Sequence, residues 1–297
     1  MPIVSMAEMM GRARAGGYAV GYFEAWDSYS MEAVVEAAEE EKSPVMLGFG
    51  AMMADRDWLD NGGIELLGAV GGVFANRART PVCLLFNEAQ TMEQALIAMS
   101  FGFNAVMLDT SAWLWHDAVD AVRRLVREAH GHQITVEAEL GRLPDATAAG
   151  IDSAYACLTD PDQAAEFIAA TRADCLAVSI GNVHLLTARY AEVDLDRLAA
   201  IHRKVNVPLV IHGGTSFPPD SVARAIACGA AKFNVGTALK ETFLKAAVSA
   251  LDEKCDRMSV HNLLGSHKET DFLATGKAAM KDKVKELMRL YGSSGHA

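Results

Sequence analysis

Eight short apolar runs, each separated from the next by a stretch of helical character, constrain this chain more than any other feature. They are AVGYF (19–23), PVMLGF (44–49), PVCLLF (81–86), NAVMLD (104–109), ITVEAEL (134–140), CLAVSI (175–180), PLVIH (208–212) and KFNV (232–235). Near-continuous apolarity, with few alternating polar positions, marks strands covered on both faces, the situation of a parallel sheet. Parallel neighbours need a crossover between them, and the intervening segments carry helix signals. Thr91-Met-Glu-Gln94 has the form of a capping box, and Asp160-Pro161 offers an N-cap followed by proline. The stretch MEAVVEAAEEEK (31–42) sets Val34, Val35 and Ala38 on one face and acidic residues on the other. Eight such units in 297 residues, with no linker, repeat or low-complexity segment, predict one α/β unit over residues 1–297, a (β/α)8 TIM barrel. Helical patterns at 237–254 and 279–292 follow the last strand as extra C-terminal helices.

Charge and cysteine usage narrow the class of partner. A net charge of −11 argues against nucleic acid and against an anionic membrane, while leaving room for a small phosphorylated ligand held by backbone N–H groups. No apolar run reaches the length of a membrane span, and MPIVSMAEMMGRARAGG at the N-terminus is a poor signal peptide. The five cysteines (Cys83, Cys157, Cys175, Cys228 and Cys255) are scattered and odd in number, as expected of reduced thiols in a cytoplasmic protein.

In a barrel of this kind chemistry collects at the C-terminal ends of the strands. Those ends carry Glu24, Asn87-Glu88, Asp109, Glu137 with Glu139, His184, His212 and Asn234. GNVH (181–184) and IHGGTS (211–216) place two histidines on adjacent strand ends, with Glu88 as a third donor; two imidazoles and a carboxylate form a recognised divalent-metal set. Either histidine taken alone reads more readily as a hydrogen-bonded core residue than as a ligand; the pair together favours the metal. Gly213, Gly214, Thr215 and Ser216 with Asn234 and Thr237 form the loops after strands seven and eight, the usual phosphate site of such barrels; tight β-to-α turns would need the same glycines. Asp109 either contacts substrate or, with Ser111, caps the next helix. Glu137 and Glu139 share a side of their strand, so both are expected to be semi-buried with raised pKa values, unless an ion pair with Arg142 or a neighbour intervenes. His116, His130, His132, His202, His261, His267 and His296 read as surface residues.

The runs GYAVGYFEAWDSYSMEAVVEAAEEEKSPVMLGF, GFNAVMLDTS, VEAELGR, LTDPDQAAEFI, LAVSIGNVH, VPLVIHGGTS, AKFNVGT and RLYGSSGHA together resemble the class II fructose-1,6-bisphosphate and tagatose-1,6-bisphosphate aldolases. The resemblance spans essentially the whole chain, in order. It implies a divalent ion, usually zinc on three histidines, that polarises a ketone and stabilises the enediolate left when a C–C bond breaks. His184 and His212 match two of those histidines. Gly213, Gly214, Thr215, Asn234 and Thr237 match the loops that hold phosphate and the dihydroxyacetone moiety. A homodimer or homotetramer is expected with it.

The departures gather where substrate would bind. The third strand of the family ends in His-Leu-Asp-His-Gly, whose aspartate moves the proton and whose second histidine binds metal; here the stretch reads Leu85-Phe86-Asn87-Glu88-Ala89. Asparagine cannot exchange a proton at neutral pH, and a carboxylate in place of imidazole shifts preference toward Mn, Co or Fe relative to Zn. Leu185 stands where the family has glycine, and Thr270 where it has the arginine that grips the distal phosphate. The loop LPDATAAGID (143–152) keeps only Asp145 and Asp152 of its usual acidic residues. The first strand ends in Phe23-Glu24 instead of Phe-Asn, followed by Trp26 and Asp27. The expectation is a metal-dependent C–C lyase acting on a non-standard keto-sugar, phosphorylated or not, or a keto-acid. Its ligands would be Glu88, His184 and His212 and its ion Zn or Mn, with Co or Fe as alternatives. Glu24 is the first candidate for the missing base and Glu139 the second, with Asn87 orienting substrate. An isomerase or epimerase, and a non-catalytic sugar-phosphate-binding relative, are the competing readings.

Overall fold

All eight apolar runs form strands, and in each case most of the run is buried. A computed structural model describes residues 3–147, 150–152, 157–254 and 258–297. Cys255 lies outside the described residues, as do residues 148 and 149 of the 143–152 loop and the side chain of Asp152. The strands are β1 Val20–Glu24, β2 Val45–Gly50, β3 Val82–Ala89, β4 Ala105–Leu108, β5 Thr135–Leu140, β6 Cys175–Val178, β7 Leu209–Ile211 and β8 Ala230–Val235. Each pairs in parallel with its neighbours in sequence, and β8 returns to β1, closing the barrel.

Alternation along each strand divides the apolar residues into two layers. Phe23, Leu47, Leu84, Phe86, Val106, Val136, Leu176, Ile211 and Phe233 pack outward under the helices. Val20, Tyr22, Met46, Cys83, Leu85, Ala105, Cys175, Ala177, Val210 and Ala231 form a second cluster together with Met6, Met9, Met10 and Ala13 of the helix Met6–Gly16. That N-terminal helix therefore seals the end of the barrel remote from the strand C-termini. It was not anticipated from the sequence, although Met6, Met9, Met10 and Ala13 recur at i, i+3, i+4 and i+7, the spacing of one helical face. A second addition is a hairpin of Asp145–Thr147 and Gly150–Asp152 in the loop after β5.

β3 runs three residues beyond its apolar run. Phe86 pairs with Val106 and Ala89 with Leu108, so the register shifts across Asn87 and Glu88. Glu88 takes a left-handed backbone, φ +55°, which a non-glycine residue adopts only at a cost of order 1–3 kcal/mol. A bulge re-aims the side chains it contains. A greasy strand can thus end on a carboxamide and a carboxylate, both pointed at the barrel mouth.

The C-terminal helix begins earlier than the sequence pattern suggested, at Phe272, and runs to Leu290 with Asp271 as N-cap. It lies against both Ser28–Glu41 and Thr237–Lys254. Lys277, Lys281 and Lys285 alternate with Glu32, Glu36 and Glu40 in a ladder of ion pairs, and Arg289 meets Glu41. Beyond its end Tyr291 is buried, its ring stacked 4.7 Å from that of Phe233. Half-exposed ion pairs contribute at most about 1 kcal/mol each, whereas truncating a large buried aromatic side chain costs about 3–5 kcal/mol. Tyr291→Ala is therefore expected to lose several kcal/mol in denaturant unfolding and Lys281→Ala less than about 1 kcal/mol; comparable losses would contradict this ranking.

Candidate active site

A cavity opens at the C-terminal ends of the strands, and the charged groups around it are held from below. His212 follows β7 directly, and Asn182 fixes its backbone by donating from Nδ2 to the His212 carbonyl, 2.9 Å. Its imidazole is buried and engages a carboxylate at each nitrogen: Nδ1 to Glu88 Oε1 at 3.1 Å and Nε2 to Glu137 Oε1 at 2.8 Å. The other Glu137 oxygen meets Lys232 Nζ, and both side chains of that pair are wholly buried. A chain of alternating charge, Lys232, Glu137, His212 and Glu88, thus rises from the barrel interior to its mouth.

His184 reaches the same place from the loop after β6. Asp145, in the hairpin loop, lies 3.4 Å from His184 Nδ1, and backbone hydrogen bonds from Ala146 N to the His184 carbonyl and from His184 N to the Pro144 carbonyl hold the two segments together. The next residue, Leu185, has φ +60°. The resemblance puts glycine at this position, and the backbone explains why: the left-handed turn survives although the glycine does not. One donor atom from each of Glu88, His184 and His212 lies within 4.8 Å of the other two.

The electrostatics follow from burial and charge together. Burial disfavours a charged His212, but the Glu137 and Glu88 carboxylates override it and hold the imidazole at about 9. Burial likewise works to raise both glutamates. The Lys232 ammonium and His212 hold Glu137 at about 2 instead, and His212 followed by His184 keeps Glu88 below the usual carboxylate range. For Glu137 the alternative to a raised pKa holds: an ion pair forms, with Lys232 of β8 and not with Arg142, and it outweighs desolvation. Glu139 does rise, well above the usual range, through burial and then its hydrogen bond and charge repulsion with Asp109.

The candidate residues divide into those that line the cavity and those that do not. Glu24, Asn87, Gly213, Thr215, Asn234 and Thr237 line it together with the three metal-ligand candidates. Gly213 adopts φ +68°, and a Cβ there would lie 2.4 Å from the Val183 carbonyl oxygen. Thr215 Oγ1 accepts from Ala238 N at 3.1 Å, tying the two loops together. Ser216 is buried and turned away, with Oγ donating to the Val183 carbonyl, and Gly214 packs on the Asn234 backbone. Neither Ser216 nor Gly214 is among the residues that line the cavity, and the same holds for Asp109 and Glu139. Asp109 Oδ1 accepts from Ser111 N in a local turn, and Glu139 Oε1 accepts from Thr110 N. Trp26 packs edge-on against Phe243, and Thr270 donates to the Asn262 carbonyl.

Glu24 faces the cavity from β1, its Oε1 2.6 Å from Lys240 Nζ. Burial raises its pKa, against the pull of Lys240 and with a push from Glu88. Tyr22, Lys232, Met52 and Met53 were not among the residues singled out from the sequence. The signal for Lys232 was available: a lysine in the apolar run AAKFNV, two residues from Asn234 and hence on the same side of the strand.

Removing one member of a buried ion pair typically costs about 3–5 kcal/mol, whereas replacing both with apolar groups is often close to neutral. Glu137→Gln is expected to lose that much in denaturant melts, and Lys232→Met added to it should recover most of the loss. Neither change restores the carboxylate behind His212, so metal affinity in the double variant should stay about 10- to 100-fold low by competition titration. Stability and metal affinity recovering together would show that Glu137 serves only Lys232.

Comparison with known proteins agrees with this geometry. A profile of the family "Fructose-bisphosphate aldolase class-II" matches residues 4–296. The sulfofructosephosphate aldolase of Alkalicoccus urumqiensis is 32% identical over 302 residues, covering 100% of this chain and 99% of that one. The probable fructose-bisphosphate aldolase of Bacillus subtilis (strain 168) is 33% identical over 303 residues, covering 100% of each. Among solved structures, the YdjI aldolase from Escherichia coli K12 superposes with a TM-score of 0.79 at 29% identity, covering 99% of both chains. A barrel closed in this order, a mouth lined by these loops and similarity along the whole length have one reading: the chain belongs to the class II fructose-bisphosphate aldolase family and is a carbon–carbon lyase of aldolase type.

Proposed function

We propose that the chain is a divalent-metal-dependent aldolase that cleaves a ketose or keto-acid other than fructose 1,6-bisphosphate. The observation that carries this reading is the convergence of Glu88, His184 and His212 at the barrel mouth, with Glu137 behind His212. The donor set fits a resident cation. A metal-binding histidine characteristically donates its second N–H to a carboxylate, and Glu137 accepts from His212 Nε2 in that manner, leaving Nδ1 facing Glu88. Two imidazoles and a carboxylate suit Mn or Zn, with Co or Fe also compatible. A cation held there supplies Lewis-acid polarisation of a substrate carbonyl.

The protein's own groups do the rest. Cleavage requires a base for the hydroxyl proton on the far side of the breaking bond, and Asn87 cannot serve. Glu24 can, since it lines the cavity and burial keeps its carboxylate more basic than one in water. Glu139 is the weaker candidate, since it stands outside the cavity lining with Oε1 accepting from Thr110 N. Asn87 and Asn234 orient substrate hydroxyls. Gly213, Thr215 and Thr237, supported by Gly214 and Ser216, receive the end of the substrate that lies over the start of the helix Thr237–Lys254. A second phosphate has no arginine to meet it at Thr270, whose hydroxyl is engaged with Asn262.

Elemental analysis of protein loaded with Mn or Zn should find one ion per chain. Glu88→Ala should weaken its binding by more than the roughly 10- to 100-fold seen when only a ligand's supporting partner is lost, and Glu88→His should move preference toward zinc. Unchanged affinity in Glu88→Ala would remove it from the ligand set.

With a panel of ketoses, ketose monophosphates and keto-acids, products should contain fewer carbons than the substrate; an unchanged carbon count would indicate an isomerase. Glu24→Gln should lower turnover by about 10²- to 10⁴-fold while leaving metal bound. The wild-type rate should fall on acidification through a pKa above 4.5, because the base must be ionised and burial raises it. A Glu24→Gln enzyme that keeps both rate and acid limb would disprove the assignment.

A further inference from the structure

We infer that the Tyr22 hydroxyl is a substrate-binding group, a hydrogen-bond donor at the floor of the cavity that selects for an oxygen-bearing carbon chain. The inference rests on the lyase reading above and adds to it a residue outside the proposed ligand set and acid–base pair. Six buried side-chain oxygen and nitrogen atoms have no hydrogen-bond partner among the described residues, and four of them belong to Tyr22, Asn87 and Asn234. All three residues line this cavity. The four are the Tyr22 hydroxyl, Asn87 Oδ1, and both polar atoms of the Asn234 carboxamide. Buried polar atoms are normally paired, so four strays on one wall mark groups kept for a ligand.

The placement of Tyr22 is built into the barrel. Tyr22 on β1 is in register with Asn234 on β8, so two of the three stand side by side on adjacent strands. Its ring lies across the α-carbon of Gly48, where a Cβ would come within 1.8 Å of Cε2, so the small residue on β2 makes room for the large one on β1. Lys232 Nζ sits over the ring, 5.1 Å from its centroid. The ring is therefore fixed by contacts that do not involve its oxygen. Burial, with the nearby carboxylates of Glu24, Glu88 and Glu137, keeps the phenol protonated, so it acts as a donor. A substrate hydroxyl or carbonyl oxygen at this point accepts from Tyr22 and is shared with Asn234, whereas an aliphatic carbon would leave both unpaired.

The fixed ring makes Tyr22→Phe a clean probe, because only the unpaired oxygen is removed. Two quantities are measured on Mn-loaded protein: the thermal midpoint without ligand, and affinities for dihydroxyacetone, dihydroxyacetone phosphate and pyruvate by calorimetry. The expected result is a midpoint equal to or above wild type, with affinity for whichever of these the wild type binds reduced roughly three- to tenfold, the range for one lost hydrogen bond. A lower midpoint would mean that the hydroxyl has a structural partner and would overturn the proposal. Wild-type binding that Tyr22→Phe leaves unchanged overturns the Tyr22 assignment alone. A wild type that binds none of the three overturns the lyase reading and this assignment with it.

Discussion

The buried contact between Glu137 and Lys232 governs the rest of the site. Two opposite charges with no solvent exposure hold each other inside the barrel, and the carboxylate has one oxygen left for His212 Nε2. That oxygen engages Nε2 and leaves Nδ1 turned toward Glu88. Buried ion pairs are a poor source of net stability, since desolvation offsets most of the attraction. Their worth here is orientation. Cys175, Cys83 and Tyr22 surround the pair with low-polarity packing, which keeps water from competing for the same hydrogen bonds.

Strain at the mouth complements order in the interior. Glu88 and Leu185 both have left-handed backbones, and they flank the cavity from β3 and from the loop after β6. Each costs conformational energy that a relaxed turn would avoid, and each sits at or beside a proposed ligand. The barrel tolerates this because its apolar layers and the C-terminal helix, clamped over the Ser28–Glu41 helix by the lysine–glutamate ladder, supply stability elsewhere. Positions 24, 87, 88 and 185, where the chain departs from the aldolases it resembles, all line the cavity above the packed layers.

The eight strands were legible because burial on both faces writes itself as an uninterrupted apolar run, and their C-terminal ends could be read off as polar residues closing those runs. That was enough to bring Glu88, His184 and His212 together before any coordinates, along with Glu24, Asn87 and Asn234. Local order in the chain also announced Asp160 as an N-cap, and it caps the helix Pro161–Thr171 as expected. The N-terminal helix carried a local signal, Ser5 as N-cap and Met6, Met9, Met10 and Ala13 on one face, but its partner is the barrel interior, assembled from many strands, which no local pattern encodes.

What the tertiary structure alone decided is the pairing of charges. Glu137 and Glu139 look alike in sequence, two residues apart on one strand, yet Lys232 and His212 hold one ionised against burial, while burial, reinforced by Asp109, pushes the other toward its neutral form. Ser216 and Thr215 are adjacent hydroxyls, but only Thr215 lines the cavity. The sequence by itself determined which residue types end each strand, since the alternation of side chains and the order of strands follow from local rules. It could not determine which of those residues touch, because partners come from strands tens of residues apart and a charge's state depends on the few ångströms around it. Closing the barrel fixes those distances, and with them the protonation states and orientations on which the chemistry depends.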